Sequence, residues 1–111
     1  MRNLGLMQMT LSAGLYRDPK AYARERAGVF ASGWQFLGHE NEAPNPGDYL
    51  AGDVAGWAVV AVRDADGTLR GFHNVCRHRA GPLVEDRAGH CGKELTCKYH
   101  GWRYALDGRL R

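Results

Sequence analysis

Two short segments in the last third of the chain, Cys76-Arg77-His78 and Cys97-Lys98-Tyr99-His100, each set a thiol near an imidazole. Together they read C-x-H, eighteen residues, C-x-x-H, which makes two soft sulfur and two borderline nitrogen donors. Such a set suits a tetrahedral zinc site, or a 2Fe-2S cluster with two Cys on one iron and two His on the other. Spacing weighs between the two. Zinc sites of this ligand type usually pair like with like, C-x2-4-C followed by H-x3-5-H on a helix. Here each segment mixes the two residue types, and His100 precedes Gly101-Trp102 and a strand-like run instead of a helix. A mixed pair on each of two loops lets each loop give its Cys to an inner iron and its His to an outer one.

The remaining polar groups carry less chemistry. His73 and His78 form H-x4-H, but no carboxylate lies three residues before His73, where Arg70 stands. His39 and His90 read as surface or turn residues, and Cys91 as a free thiol. There is no glycine-rich phosphate loop, no Ser-His-Asp set and no paired acids at catalytic positions.

The two segments need a rigid frame, and the pattern supplies short strands. From Trp34 onward, apolar runs alternate with turn residues, which predicts an antiparallel all-β domain. Strands are expected at Trp34–Gly38, Asp48–Val54, Trp57–Arg63, Thr68–Asn74, Glu94–Thr96 and Trp102–Leu106, with the almost wholly apolar run from Trp57 in the centre. Pro44-Asn45-Pro46-Gly47, Asp64-Ala65-Asp66-Gly67 and Asp107-Gly108 mark turns. Upstream, Asp18-Pro19 signals a helix start, with Asp as N-cap and Pro in the first turn, running to Ser32 and stopping at Gly33. Tyr22, Val29 and Phe30 fall on one face of that helix, as a packing stripe. The division expected is an arm over residues 1–16, a helix over 17–33 and a β domain over 34–111. Strand Trp102–Leu106 should lack its next partner, so the sequence reads as an N-terminal fragment.

At 111 residues the chain is one domain with a modest core, and 15 glycines point to many turns. The net charge of +3 comes from 15 basic and 12 acidic residues spread along the chain, which argues against a nucleic-acid binder. Basic residues do gather in the last third, as either a solvated face or a docking surface for an acidic electron donor. Three cysteines, two of them candidate ligands, leave Cys91 without a partner, which fits a reducing cytoplasm. Neither a signal-peptide core nor a run long enough to span a membrane is present.

The run Asn74-Val75-Cys76-Arg77-His78-Arg79, with Cys97-Lys98-Tyr99-His100-Gly101-Trp102, resembles the Rieske domain of ring-hydroxylating oxygenase α subunits. The likeness extends upstream through Trp34-Gln35-Phe36 and Pro46-Gly47-Asp48-Tyr49 to Leu15-Tyr16 and Asp18-Pro19. It implies a mainly β fold, a small antiparallel Rieske-type sandwich with two cluster-binding loops preceded by one helix. It also implies a Rieske 2Fe-2S cluster on Cys76, His78, Cys97 and His100, with Arg79, Gly81, Gly101 and Trp102 around it. The electron donor would be a ferredoxin or reductase. The acceptor would be a mononuclear Fe(II) in a downstream catalytic domain, in the same or a neighbouring subunit of a homo-oligomer. A stand-alone Rieske ferredoxin and a structural zinc module are the alternatives. Where the family more often has Gly-Ala after the first loop's Arg, this chain has Ala80-Gly81, which moves by one the residue suited to positive φ. The gap holding His90-Cys91 is also long for the family. Gly81, Tyr99 and Trp102 stand where respiratory Rieske proteins have extra Cys and Ser residues. The potential expected is therefore toward the lower end of the Rieske range, roughly −150 to 0 mV.

Overall fold

The computed structural model describes residues 10–111, in two compact units, the first ending at Trp34 and the second spanning Gln35–Arg111. In the first, a single 3-10 turn occupies Ala13–Tyr16, within the stretch expected to be an extended arm; residues 1–9 of that arm lie outside the described residues. Helix α1 covers Pro19–Glu25. Its N-cap is Asp18, whose side chain accepts from the Lys20 amide at 2.9 Å, and Pro19 occupies the first turn, where its missing N–H is no loss. The helical path continues to Ser32 and closes with the Gly33 amide on the Val29 carbonyl, but it widens into a π turn over Arg26–Phe30. That wider turn breaks the 3.6-residue period on which the expected stripe rested. Tyr22 and Phe30 still meet, with ring centroids 6.3 Å apart, yet Val29 is exposed and Ala21 is the buried residue of α1.

The second unit is mainly β, with one 3-10 turn at Glu40–Glu42. Strands β1 (Asp48–Val54), β2 (Trp57–Arg63), β3 (Leu69–His73) and β4 (Ala88–His90) form one antiparallel sheet in the order β3-β2-β1-β4. Strands β5 (Glu94–Thr96) and β6 (Arg103–Ala105) form a second, with Tyr104 bridging to Leu110. The hairpin β1–β2 turns on Ala55 and Gly56 at φ 51° and 80°, the double positive φ of a tight two-residue turn. Side chains alternate across β2: Val60 and Val62 are fully buried while Val59 and Ala61 are half-exposed. Tyr49 and Ala51 of β1 lie opposite Val62 and Val60, and these four join Leu83, Val84, Leu95, Tyr104, Leu106, Cys76 and Cys97 in one core cluster. Burying each of the two valines contributes about 2 kcal/mol.

Three expectations are corrected. Trp34–Gly38 is not a strand and joins neither open edge of the sheet. The segment instead crosses the sheet face, where Leu37 and Gly38 cover Gly52 and Leu50. The glycine-rich stretch before Glu94 supplies β4, where a Cβ on Gly89 would sit 2.6 Å from the Tyr49 hydroxyl, so only glycine fits. Finally, the strand expected at Trp102–Leu106 is partnered on one side by β5 and on the other by the bridge to Leu110 and the Arg111 amide on the Arg103 carbonyl.

Candidate metal centre

Each Cys/His segment follows a strand or opens one, and the two loops share one backbone plan. In the first, the Cys76 amide donates to the Gly81 carbonyl at 2.7 Å and the Ala80 amide to the Cys76 carbonyl at 2.9 Å. In the second, the Cys97 amide donates to the Trp102 carbonyl at 2.8 Å and the Gly101 amide to the Cys97 carbonyl at 2.9 Å. Ala80 and Gly101 are therefore equivalent, and both have positive φ, 58° and 74°. The Ala80-Gly81 order does not move the positive-φ position to Gly81, as the sequence suggested. Ala80 takes it, and Gly81 lies across from the second loop, where a Cβ would make ordinary contact with Cys97 Sγ at 3.6 Å and Tyr99 Cβ at 3.7 Å. Asn74 holds the base of the first loop, its Oδ1 accepting from the Leu83 and Val84 amides and its Nδ2 donating to the Val84 carbonyl.

The four candidate ligands come as two pairs. Cys76 and Cys97 are both 2 % exposed and lie in the core, whereas His78 and His100 are exposed, with their Nδ1 atoms 3.1 Å apart. Among the described residues no group of three or more Cys, His, Asp or Glu side chains is gathered for one metal ion. Thiols below and imidazoles above suit two metal ions of different ligation. Around the imidazoles, the Trp102 ring stacks on His78, the Tyr99 ring lies against His100, and the Arg79 guanidinium stands 5.9 Å from the Tyr99 centroid.

Sequence reasoning missed Tyr104. Its hydroxyl lies 3.4 Å from Cys76 Sγ and accepts from the Arg77 amide at 3.0 Å. That hydroxyl, followed by the loop amides of His78 and Arg79 and the Cys97 side chain, holds the Cys76 thiol below its usual pKa, the state a metal ligand needs. Burial, reinforced by Cys76, pushes the Tyr104 phenol up and keeps it a donor. The available signal was a tyrosine at a core-facing strand position, since a buried phenol needs a polar partner.

Other groups fall as expected. His39 caps a short turn and accepts from the Asn41 amide, and His90 pairs with Asp48 at 2.8 Å. Cys91 is a half-buried thiol whose Sγ donates to the Gly47 carbonyl. Much of the expected basic concentration is neutralised, since Arg87, Lys98, Arg103 and Arg109 each pair with an acid. Arg77 and Arg79, which flank His78, are in no ion pair among the described residues.

A small antiparallel β domain that presents two thiols and two imidazoles from twin loops belongs to the class of iron-sulfur carrier domains. More particularly, the chain belongs to the Rieske [2Fe-2S] domain family, which matches residues 33–111. It is 41% identical over 101 residues to the glycine betaine monooxygenase oxygenase subunit of Chromohalobacter salexigens, covering 91% of this chain and 22% of that protein. It is 40% identical over 107 residues to the large oxygenase component of the naphthalene 1,2-dioxygenase system of Pseudomonas aeruginosa, covering 96% and 23%. Among solved structures, a quaternary ammonium Rieske monooxygenase superposes with a TM-score of 0.86 at 34% identity, over 92% of this chain and 28% of that one. The chain thus spans about a quarter of the length of the oxygenase subunits it matches. No helix among the described residues is long and apolar enough to cross a membrane.

Proposed function

We propose that Cys76 and Cys97 hold one iron of a Rieske 2Fe-2S cluster and His78 and His100 the other, and that the chain is the electron-transfer domain of a Rieske non-haem iron oxygenase. The observation that carries this is the pairing of buried thiols with exposed imidazoles on loops of identical backbone plan. The donor set fits the group. The Tyr104 hydroxyl holds the Cys76 thiol below its usual pKa, and Cys76 and Cys97 lie together in one buried cluster. When bound, such a cluster would supply a one-electron couple.

The chain's own groups do the rest. The core walls the thiolates off from water, and the histidines reach the surface, where each keeps a second ring nitrogen to donate to a carboxylate of the acceptor domain. Arg77 and Arg79 beside them offer charge complementary to an acidic ferredoxin or reductase. The acceptor is a mononuclear iron held by two His and a carboxylate in a catalytic domain of the same or a neighbouring subunit of a homo-oligomer. One solved relative is described in terms of inter-subunit electron transfer. Three free cysteines fit work in the cytoplasm. The relatives named above, which are oxygenase subunits, support this reading over a stand-alone ferredoxin.

The test is anaerobic reconstitution. The chain should turn red-brown with two irons and two sulfides bound; Cys76→Ser and Cys97→Ser should stay colourless, and Cys91→Ser should keep its colour. Stoichiometric zinc without iron would remove the proposal, and loss of the spectrum in Cys91→Ser would reassign the ligands.

A further inference from the structure

At one equivalent position the twin loops differ sharply in size. The residue five after each Cys is Gly81 in the first loop and Trp102 in the second, and each packs across onto the other loop. Gly81 faces Cys97 and Tyr99 with no side chain of its own. Trp102 instead lays its indole on the His78 ring, with centroids 4.8 Å apart and planes only 16° from parallel. Its other side is tied down, because Trp102 is half-buried and packs against the core cluster.

His78 has little else to fix it. Its ring is exposed, and among the described residues its one polar contact is the 3.1 Å approach of its Nδ1 to that of His100. His100 leans on Tyr99, with centroids 3.9 Å apart and planes tilted by 42°, but Tyr99 is itself 61% exposed. One imidazole is thus braced against a side chain rooted in the core and the other against a side chain standing in solvent. An indole with two χ angles and a core anchor has little freedom left, so a ring stacked on it is held in plane.

We propose that Trp102 is a positioning residue for His78: it fixes the plane of that imidazole across the loop boundary and makes His78 the rigid member of an otherwise adaptable pair. The inference rests on the ligand assignment above, and its test separates the two. Three forms of the full chain are compared, wild type, Trp102→Phe, which keeps an aromatic face, and Trp102→Leu, which keeps apolar filling without one. Each is first assayed for iron, sulfide and visible spectrum. A wild-type chain that binds no cluster would sink the ligand assignment alone, since the stack is then read in the metal-free chain, where the indole ring current shifts the His78 ring protons upfield while those of His90 serve as the unshifted control.

In the loaded, reduced protein, pulsed electron paramagnetic resonance resolves the nitrogen couplings of the two imidazoles. One of the two should broaden or shift in Trp102→Leu and stay near wild type in Trp102→Phe, with the second unchanged in both. The rate of cluster loss should rise about 2- to 12-fold in Trp102→Leu, the range an aromatic pair contributes, and return toward wild type in Trp102→Phe. If Trp102 merely fills the core, Leu and Phe will behave alike and neither coupling will move selectively, which overturns the proposal. Equal change in both histidines overturns it as well.

Discussion

Replacing Ala80 by glycine should stabilise the protein, an unusual outcome for a substitution beside a candidate metal site. Ala80 sits at φ 58°, in the left-handed region, while its equivalent in the second loop, Gly101, sits at 74°. An L residue with a Cβ is disfavoured there by roughly 1–2 kcal/mol, from the approach of Cβ to the following carbonyl. Glycine removes that contact but brings a more flexible unfolded chain, which offsets roughly 0.4–1 kcal/mol. The net gain for Ala80→Gly is about 0.5–1 kcal/mol. Gly101→Ala is the mirror experiment. A Cβ there meets nothing within 4 Å, so the loss is purely conformational and of the same size with opposite sign. In a domain this small such changes correspond to roughly 4 °C in melting midpoint, up for Ala80→Gly and down for Gly101→Ala. Scanning calorimetry on the cluster-loaded chain, with visible absorbance recorded on the same sample, separates unfolding from cluster loss. A third variant, Gly92→Ala at φ 74° with equally open surroundings, calibrates the conformational term away from the site. If Ala80→Gly fails to raise the midpoint while Gly92→Ala and Gly101→Ala both lower it, the strain assigned to Ala80 is not there.

Tyr104→Phe should lower the reduction potential by roughly 30–60 mV, what one ordinary hydrogen bond is worth to a one-electron couple, because the hydroxyl on Cys76 Sγ favours the more negative reduced state; an unchanged midpoint in redox titration would disprove that role. Asp48 is held below the usual carboxylate pKa by the Asn45 amide and then by His90. The unfolded chain therefore binds this proton more readily, and the associated stability is complete above about pH 4 and fades as pH falls through the lower folded value. Urea midpoints of Asp48→Asn should fall less steeply than wild type over that window, and parallel profiles would rule the pair out. Finally, this 111-residue chain, loaded and reduced, should yield no hydroxylated or demethylated product from aromatic or quaternary-ammonium substrates by mass spectrometry. Once His78 and His100 are assigned, His39, His73 and His90 remain, and none of them has the neighbours of a facial triad. Product formed by protein holding no third iron would demand a different site.

Strand boundaries were legible where period and turn chemistry agreed. The expected Asp48–Val54, Trp57–Arg63 and Glu94–Thr96 stand unchanged, since alternation and flanking Gly or Asp mark them locally. Strand β4 was not legible, because Ala-Gly-His has no strand preference of its own and pairs only because β1 offers it an edge and Tyr49 needs a glycine opposite. Trp34–Gly38 failed for the reverse reason: its composition suits a strand, but Leu37 and Gly38 lie against Gly52 and Leu50 of β1 instead of pairing along an edge. At the candidate site the Cys and His residues announce themselves by type and spacing. Tyr104 does not, since its partner Cys76 lies 28 residues away and the two meet only through the packing of both sheets. The equivalence of Ala80 with Gly101 was hidden too, because the loops carry their histidines at different offsets and align only through their hydrogen bonds.

The place of Cys76 and Cys97 within the same buried cluster as Val60 and Leu95 has a consequence for how the protein is made. On the ligand assignment proposed above, a chain that folds before it meets iron closes its hydrophobic interior over both proposed thiol ligands, leaving only the imidazoles reachable. Maturation is then a race between collapse of the core and delivery of metal and sulfide, unless the twin loops open locally to admit a late arrival. Expression conditions that slow translation or enrich iron supply would shift that race, so the yield of coloured protein reports the timing of assembly as much as the quality of the site.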